Sequence, residues 1–212
     1  MAFIDTTDIE DAYSMVAPYV QGAPFATIIY HLREAAIDFC TKTLCWRATL
    51  APVLTVVDRG EYDLKLPDQS KLVKLLRYKF DDREQTEGVV SPDKGAALLD
   101  QTSSADAIWT ENRVTFKVCP GPTVAAKEMV LTVALKPSSD SICIPSNIFE
   151  DFATAIAEGA IGRIAAIPRQ AFSDMQQASL YQGKFQDEID RVAAAVSAGF
   201  GRSTKRVRPF LY

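Results

Sequence analysis

Apolar residues follow two regimes along this chain, helical spacing at both ends and strand-like alternation in the middle. From Phe25 to Leu44 the apolar positions are Phe25, Ile28, Ile29, Leu32, Ala36 and Phe39, while Arg33, Glu34, Asp38, Thr41 and Lys42 take the other side. Such spacing predicts a helix with one buried face. A shorter, more loosely specified helix is expected over Ile9–Tyr19, closed off by Gly22-Ala23-Pro24, and Pro24 suits the first turn of the longer helix. Near the other end Ile148, Phe152, Ile156, Ile164 and Ile167 predict another helix, with Asn147 and Glu150 as its capping box. Pro168 ends it. Ser173 with Gln176 opens the next, whose stripe is Ala178, Tyr181, Phe185, Ile189, Val192 and Val196 before Gly199 and Gly201 stop it. Gly159 and Gly162 interrupt the first of this pair at roughly 1 kcal/mol each relative to alanine. With Ala155, Ala160 and Ala166 they form a thin face that lets another backbone approach closely.

After Trp46 the period changes. Val53–Val57 is rich in β-branched residues, Glu61–Leu66 alternates polar and apolar, and Asp58-Arg59-Gly60 is a turn signal between them, so a hairpin is expected. Leu76, Tyr78 and Phe80 alternate with Arg77, Lys79 and Asp81, whereas Val73 and Leu75 lie on the opposite parity. That slip points to a bulge or a late strand start, with a short helix through Leu72, Leu75 and Leu76 as the alternative. Residues 81–104 are polar and broken by Gly88, Pro92 and Gly95, an exposed excursion in which only Ala96–Leu99 suggests a helical turn. Ala107–Trp109 and Arg113–Val118 read as short strands around Glu111-Asn112. Met129, Leu131, Val133 and Leu135 line one face of a further strand, and Val130, Thr132 and Ala134 on its other face predict cover on both sides. Pro137–Asp140 links back to the helices.

Strands follow strands here and helices follow helices, which predicts an α+β fold with an antiparallel sheet. The expected organisation is a helical bundle body, residues 1–46 and 145–200, carrying an inserted β unit at 47–144 and an extended C-terminal tail at 201–212. At 212 residues, 48% apolar and 24% charged, the chain can bury a substantial core. A formal charge of -4 argues against a whole-surface nucleic-acid binder. No run approaches the roughly 18 apolar residues of a membrane helix. Residues 1–14 are acidic and lack the basic and apolar regions of a secretory signal, so a reducing cytoplasm is the expected place of synthesis.

Chemical signatures are absent. Cys40, Cys45, Cys119 and Cys143 are scattered with no CxxC pair, and His31 is the single histidine, so buried free thiols fit better than a zinc site. His31 sits beside a helical stripe with no acidic or nucleophilic partner at telling spacing, as a structural histidine would. There is no GxxxxGK[ST] loop, no GxGxxG after a strand, no HExxH and no GxSxG. The carboxylate pairs Asp81-Asp82 and Asp187-Glu188 fall in polar surface contexts. No enzyme activity, cofactor or metal is expected.

Charge is nonetheless segregated. Arg202, Lys205, Arg206 and Arg208 are four cations in seven residues, followed by Phe210, Leu211 and Tyr212. In isolation such a terminus is solvated; on a partner its cations would meet acidic groups or phosphates and its apolar end would fill pockets. A small regulatory or nucleic-acid-binding protein with a phosphate-contacting tail is one reading, and it predicts steeply salt-dependent binding of free DNA or RNA.

A second reading comes from resemblance. Residues Ala35-Ala36-Ile37-Asp38-Phe39-Cys40-Thr41-Lys42-Thr43-Leu44-Cys45-Trp46-Arg47 resemble the first long helix of tailed-phage head-to-tail adaptors, also described as head-completion or tail-tubular proteins. Ile144-Pro145, the run Ala155-Ile156-Ala157-Glu158-Gly159-Ala160, Ile167-Pro168 and Phe185 resemble their second helical half. The resemblance implies a structural virion protein at the head-tail junction, repeated as a ring, commonly of twelve copies, between the portal protein and a tail tube or nozzle protein. Genomic DNA would pass through its lumen without sequence-specific binding, and no membrane would be involved. It also implies that the tail, through Arg202, Lys205, Arg206, Arg208, Phe210, Leu211 and Tyr212, reaches onto the portal. Ala155, Gly159 and Gly162 become candidates for packing between subunits.

Overall fold

The computed structural model describes residues 5–80, 83–85, 89–99, 107–119, 121–123 and 125–199, with backbone alone at 83–85 and 96–99. The chain opens with β1 (Thr6–Asp8), a 3-10 turn over Ile9–Ala12, the single turn α1 (Tyr13–Val16) and a second 3-10 turn over Ala17–Tyr19. The long helix α2 (Phe25–Thr43) follows, then the strands β2 (Arg47–Thr49), β3 (Val53–Leu54), β4 (Glu61–Asp63), β5 (Ser70–Phe80) and β6 (Arg83–Gln85). Next come α3 (Pro92–Leu99), β7 (Ala107–Trp109), β8 (Thr115–Cys119), β9 (Glu128–Pro137) and β10 (Cys143–Pro145). Two long helices, α4 (Ser146–Ala165) and α5 (Met175–Ser197), complete the described chain.

The fold is mixed α/β, and among the described residues every ladder between strands is antiparallel. The largest sheet has the order β2-β9-β5-β6, with β3 also on β9; a second sheet runs β4-β8-β7, and β1 pairs with β10. Buried apolar residues form two clusters. One draws on residues 9–39 and 144–196, the other on residues 40–135 together with Ile148, and the part-buried Cys45 and Phe152 touch both.

In α2 the predicted stripe is buried at Ile28, Ile29, Leu32, Ala36 and Phe39, joined by Ala35, Cys40 and Thr43. Phe25 departs from it, 50% exposed with its ring 5.1 Å from that of Tyr13. Pro24 stands one residue before the helix, where its carbonyl accepts from the N–H groups of Thr27 and Ile28. At the other end Leu44 adopts φ +54° and its N–H reaches the Cys40 carbonyl, stopping the helix.

Both expected N-caps are displaced. α4 starts at Ser146 with no side-chain cap, so Asn147 and Glu150 form no capping box. Because β10 runs straight into the helix while paired to β1, the Ser146 N–H already donates to the Asp5 carbonyl at 2.9 Å and Thr7 donates to the Ser146 hydroxyl at 2.8 Å. The neighbouring strand thus satisfies one of the four N–H groups at the start of the helix that lack an intrahelical partner. For α5 the cap is Asp174, one residue later than Ser173, and its carboxylate accepts from Gln176 and Gln177 N–H at 2.9 and 3.0 Å. Ser173 closes the α4–α5 loop instead, donating to the Ile167 carbonyl and accepting from Gln170 N–H.

The expected hairpin over Val53–Leu66 does not form. β3 pairs with β9 through Val53↔Met129, whereas β4 pairs with β8 through Tyr62↔Phe116. Asp58 takes a left-handed φ of +58°, and the Tyr62 hydroxyl accepts from the Val56 N–H at 3.1 Å, so the turn diverts the chain into a different sheet. The parity slip in β5 is a pair of irregularities, between Leu72 and Lys74 and between Leu75 and Arg77. Each leaves one residue out of register, which puts Leu72, Leu75 and Tyr78 on the core at intervals of three. The strand forms, and the helical alternative there does not.

β9 is buried at Met129, Leu131, Val133 and Leu135; on its other face Ala134 is buried while Val130 and Thr132 are half-buried. The stretch read as an exposed excursion contains β6, paired to the end of β5, and α3. Trp109 is fully buried against Gly95 of α3, where an added Cβ would lie 2.3 Å from the indole. An apolar residue beyond the excursion, invisible to local periodicity, anchors it.

Candidate interaction surfaces

Phe39 is where three helices meet. Its ring lies 5.1 Å from Phe152 of α4 and 6.2 Å from Phe185 of α5. Outside this contact Arg163 of α4 donates to Asp38 of α2, which also pairs with Lys42 at 3.6 Å, and the Arg163 guanidinium sits 5.9 Å from the Phe185 ring centre. One arginine therefore bridges α2, α4 and α5. Arg47 in β2 adds a tether by donating to the Val196 carbonyl at 3.0 Å, which ties the end of α5 to the large sheet.

His31 stands beside this bridge, half-buried, its ring edge-on to Tyr30 at 5.1 Å. Burial, then the positive charge of Arg163, lowers its pKa below the usual 6.5, with Glu34 opposing. The folded protein therefore favours neutral His31, while the unfolded chain takes up a proton near pH 6.5. Its contribution to stability should be complete above pH 6.5 and decline as the pH falls below that value toward the lowered folded one. Denaturant midpoints measured at pH 7.5 and 5.5 should differ, and His31→Gln should shrink the difference.

The small-residue face of α4 is filled within the chain. A Cβ at Gly159 would lie 2.9 Å from the Phe185 ring, and one at Gly162 would lie 2.9 Å from Gln182 Cγ and 3.0 Å from the Gln182 backbone nitrogen. Both glycines are buried and unavailable to another subunit while α5 is in place. The packing partner of Gly159 and Gly162 is thus the next helix, because the short loop after Ala165 folds α5 back onto them. Ala155 differs, since it borders an open groove.

That groove, of about 420 Å³, runs between α4 and α5 and is lined by Asp151, Glu158, Lys184, Asp187, Glu188 and Arg191 among others. Lys184 pairs with Glu158 at 3.7 Å and Arg191 pairs with Glu188. The Arg191 hydrogen bond holds the Glu188 carboxyl below the usual carboxylate range. Four carboxylates against two cations leave the lining two charges negative. Asp187-Glu188, read from the sequence as solvated charge, thus forms part of a concave surface.

The remaining expected sites divide. Arg202, Lys205, Arg206, Arg208, Phe210, Leu211 and Tyr212 lie outside the described residues, as does the Asp81-Asp82 pair. All four cysteines are free. Cys40 is buried, and contact with Cys45 followed by burial pushes its thiol well up. Among the described residues no group of three or more His, Cys, Asp or Glu could hold a metal, and no helix is long and apolar enough to cross a membrane. An apolar surface went unseen in the sequence. Leu54, Val56 and Val57 are 58%, 49% and 46% exposed. The stretch Val53–Val57, rich in β-branched residues, reads as buried strand, and only the departure of the chain toward β4 leaves these side chains open.

The family model described as SU10 adaptor protein matches residues 7–208. No curated protein matches the chain.

Proposed function

The chain belongs to the SU10 adaptor protein family, and from that premise we propose that it forms a ring between the portal and the tail tube or nozzle, enclosing the channel through which DNA leaves the head. The coarser part follows from membership: it is a phage adaptor, a structural virion component that associates with portal and tail proteins. The family is not a class of enzymes.

The observation that carries the finer reading is the extent of the match, which runs from β1 to Arg208 and so takes in all four cations of the tail. A docking strap needs a rigid base, and α5 supplies one through its cap at Asp174, its buried stripe and the Arg47 tether. Beyond it, cations followed by Phe210, Leu211 and Tyr212 have the composition of an interface anchor, charge for orientation and aromatic area for affinity. A net charge of -4 suits a conduit wall that does not retain the phosphate backbone. Twelvefold symmetry is the copy number the resemblance implies.

Removing residues 202–212 tests this. Both buried clusters are built from residues between Ile9 and Val196, all of which the truncation retains, so the truncated chain should still unfold cooperatively. Its affinity for portal should fall by roughly a hundredfold or more, since two lost anchors at about 2 kcal/mol each already exceed that. Truncated protein that still co-sediments with portals at the full-length affinity would overturn the assignment. Steeply salt-dependent binding of free DNA by the single subunit would favour the nucleic-acid reading instead.

A further inference from the structure

The α4–α5 groove and the tail have complementary chemistry in matching order. On α5, Arg191, Glu188, Asp187, Lys184 and Leu180 fall on one stripe, because they recur at three- and four-residue intervals. With Lys184 and Arg191 already paired to Glu158 and Glu188, Asp151 and Asp187 have no ion-pair partner among the described residues. Toward the start of the helix the stripe turns apolar. Leu180 is 56% exposed, and its neighbour Tyr181 meets the ring of Tyr19 at 5.7 Å. Read backwards from the end of α5, the surface is therefore acidic first and apolar and aromatic second. Residues 202–212 are cationic first and apolar and aromatic second.

Length agrees with order. α5 ends at Ser197, and Gly199 has φ +67°, a left-handed conformation that turns the chain away from a helix axis. At 1.5 Å per helical residue, Glu188 lies about 14 Å and Leu180 about 26 Å back from Ser197. At about 3.3 Å per extended residue, Arg202 can reach roughly 10 Å from Gly199 and Phe210 roughly 36 Å. A segment running back along α5 can thus set its cations opposite Asp187 and Asp151 while Phe210, Leu211 and Tyr212 arrive over Leu180 and Tyr181.

We propose that in the free subunit residues 202–212 occupy the α4–α5 groove of their own chain. The segment is then held in a defined place before any partner is met, and a partner that takes it up must displace it from the groove. Binding in the groove lowers the apparent affinity for that partner by the fraction of chains with the tail released. This occupancy is a property of the chain alone and goes beyond the proposed portal contact.

The test uses the full-length chain carrying Phe210→p-benzoylphenylalanine, irradiated without portal and mapped by mass spectrometry. Cross-links should join position 210 to peptides containing Leu180, Tyr181 or Tyr19. The double variant Asp151→Lys with Asp187→Lys changes two exposed side chains, so melting should be unaltered while the cross-link yield falls several-fold; salt at about 1 M should act likewise by screening. Cross-links to other surfaces, none at all, or a yield indifferent to charge reversal would overturn the assignment. So would heavy-to-light cross-links in a mixture of isotopically distinct chains, which place the tail on another copy. Portal attachment plays no part in this readout, so the two ideas fail separately.

Discussion

Phe39→Ala should destabilise the protein by about 3–5 kcal/mol, the usual loss for a fully buried phenylalanine. The side chain has no solvent exposure, and its ring contacts reach both other long helices. Removing it opens a cavity bounded by Phe152 and Phe185, and the Phe185 ring is also held from outside by Arg163 and by Gly159. Rigid surroundings cannot collapse into the void, which places the loss toward the upper end of that range. Denaturant unfolding should show a lower midpoint with an unchanged slope. A loss below about 1 kcal/mol would mean that α4 and α5 re-pack freely and that Phe39 is not the meeting point of the helices.

Gly162→Val should cost about 3 kcal/mol, against the direction in which helix propensity pushes. Replacing a helical glycine ordinarily helps, by up to about 1 kcal/mol for alanine. At Gly162 the added Cβ meets Gln182 Cγ at 2.9 Å, its backbone nitrogen at 3.0 Å and the Ala178 carbonyl at 3.4 Å. Backbone cannot swing aside as a side-chain end can, so overpacking of roughly 1–3 kcal/mol sets the sign, and the branched valine adds its own χ1 restriction. Gly183→Ala is the control. It sits on the exposed side of the same helix pair with nothing within 4 Å of an added Cβ, so it should stabilise by up to about 1 kcal/mol. If the two variants shift the melting temperature in the same direction, α4 and α5 are not packed through Gly162.

Legibility varied with the range of the forces involved. The α5 stripe from Ala178 to Val196 was readable because burial along one helix repeats with the helix's own period; Tyr181, half-buried beside Tyr19, marks its edge. The break of parity around Val73 was equally readable as a bulge, although the second irregularity was hidden inside it. The caps were misplaced by a single residue at Ser173, and at Asn147 by a strand that no local pattern reveals. Tail cations were conspicuous in the sequence. The groove was not, because it needs Asp151 and Glu158 from one helix beside Asp187 and Glu188 from another.

What the sequence by itself determined was the set of elements near Phe25–Thr43, Ser146–Ala165 and Met175–Ser197, the strand content between them, and a charge distribution that sets a basic end against an acidic whole. These depend on hydrophobic periodicity and on counting charges, both of which are written along the chain. Only the tertiary structure decided that β3 and β4 part into different sheets, that Gly159 and Gly162 face α5, and that scattered carboxylates converge on one groove. Each of those outcomes pairs residues distant in sequence. Such pairs are chosen by shape, backbone hydrogen bonding and burial in competition with every other pairing, and no local window contains both partners.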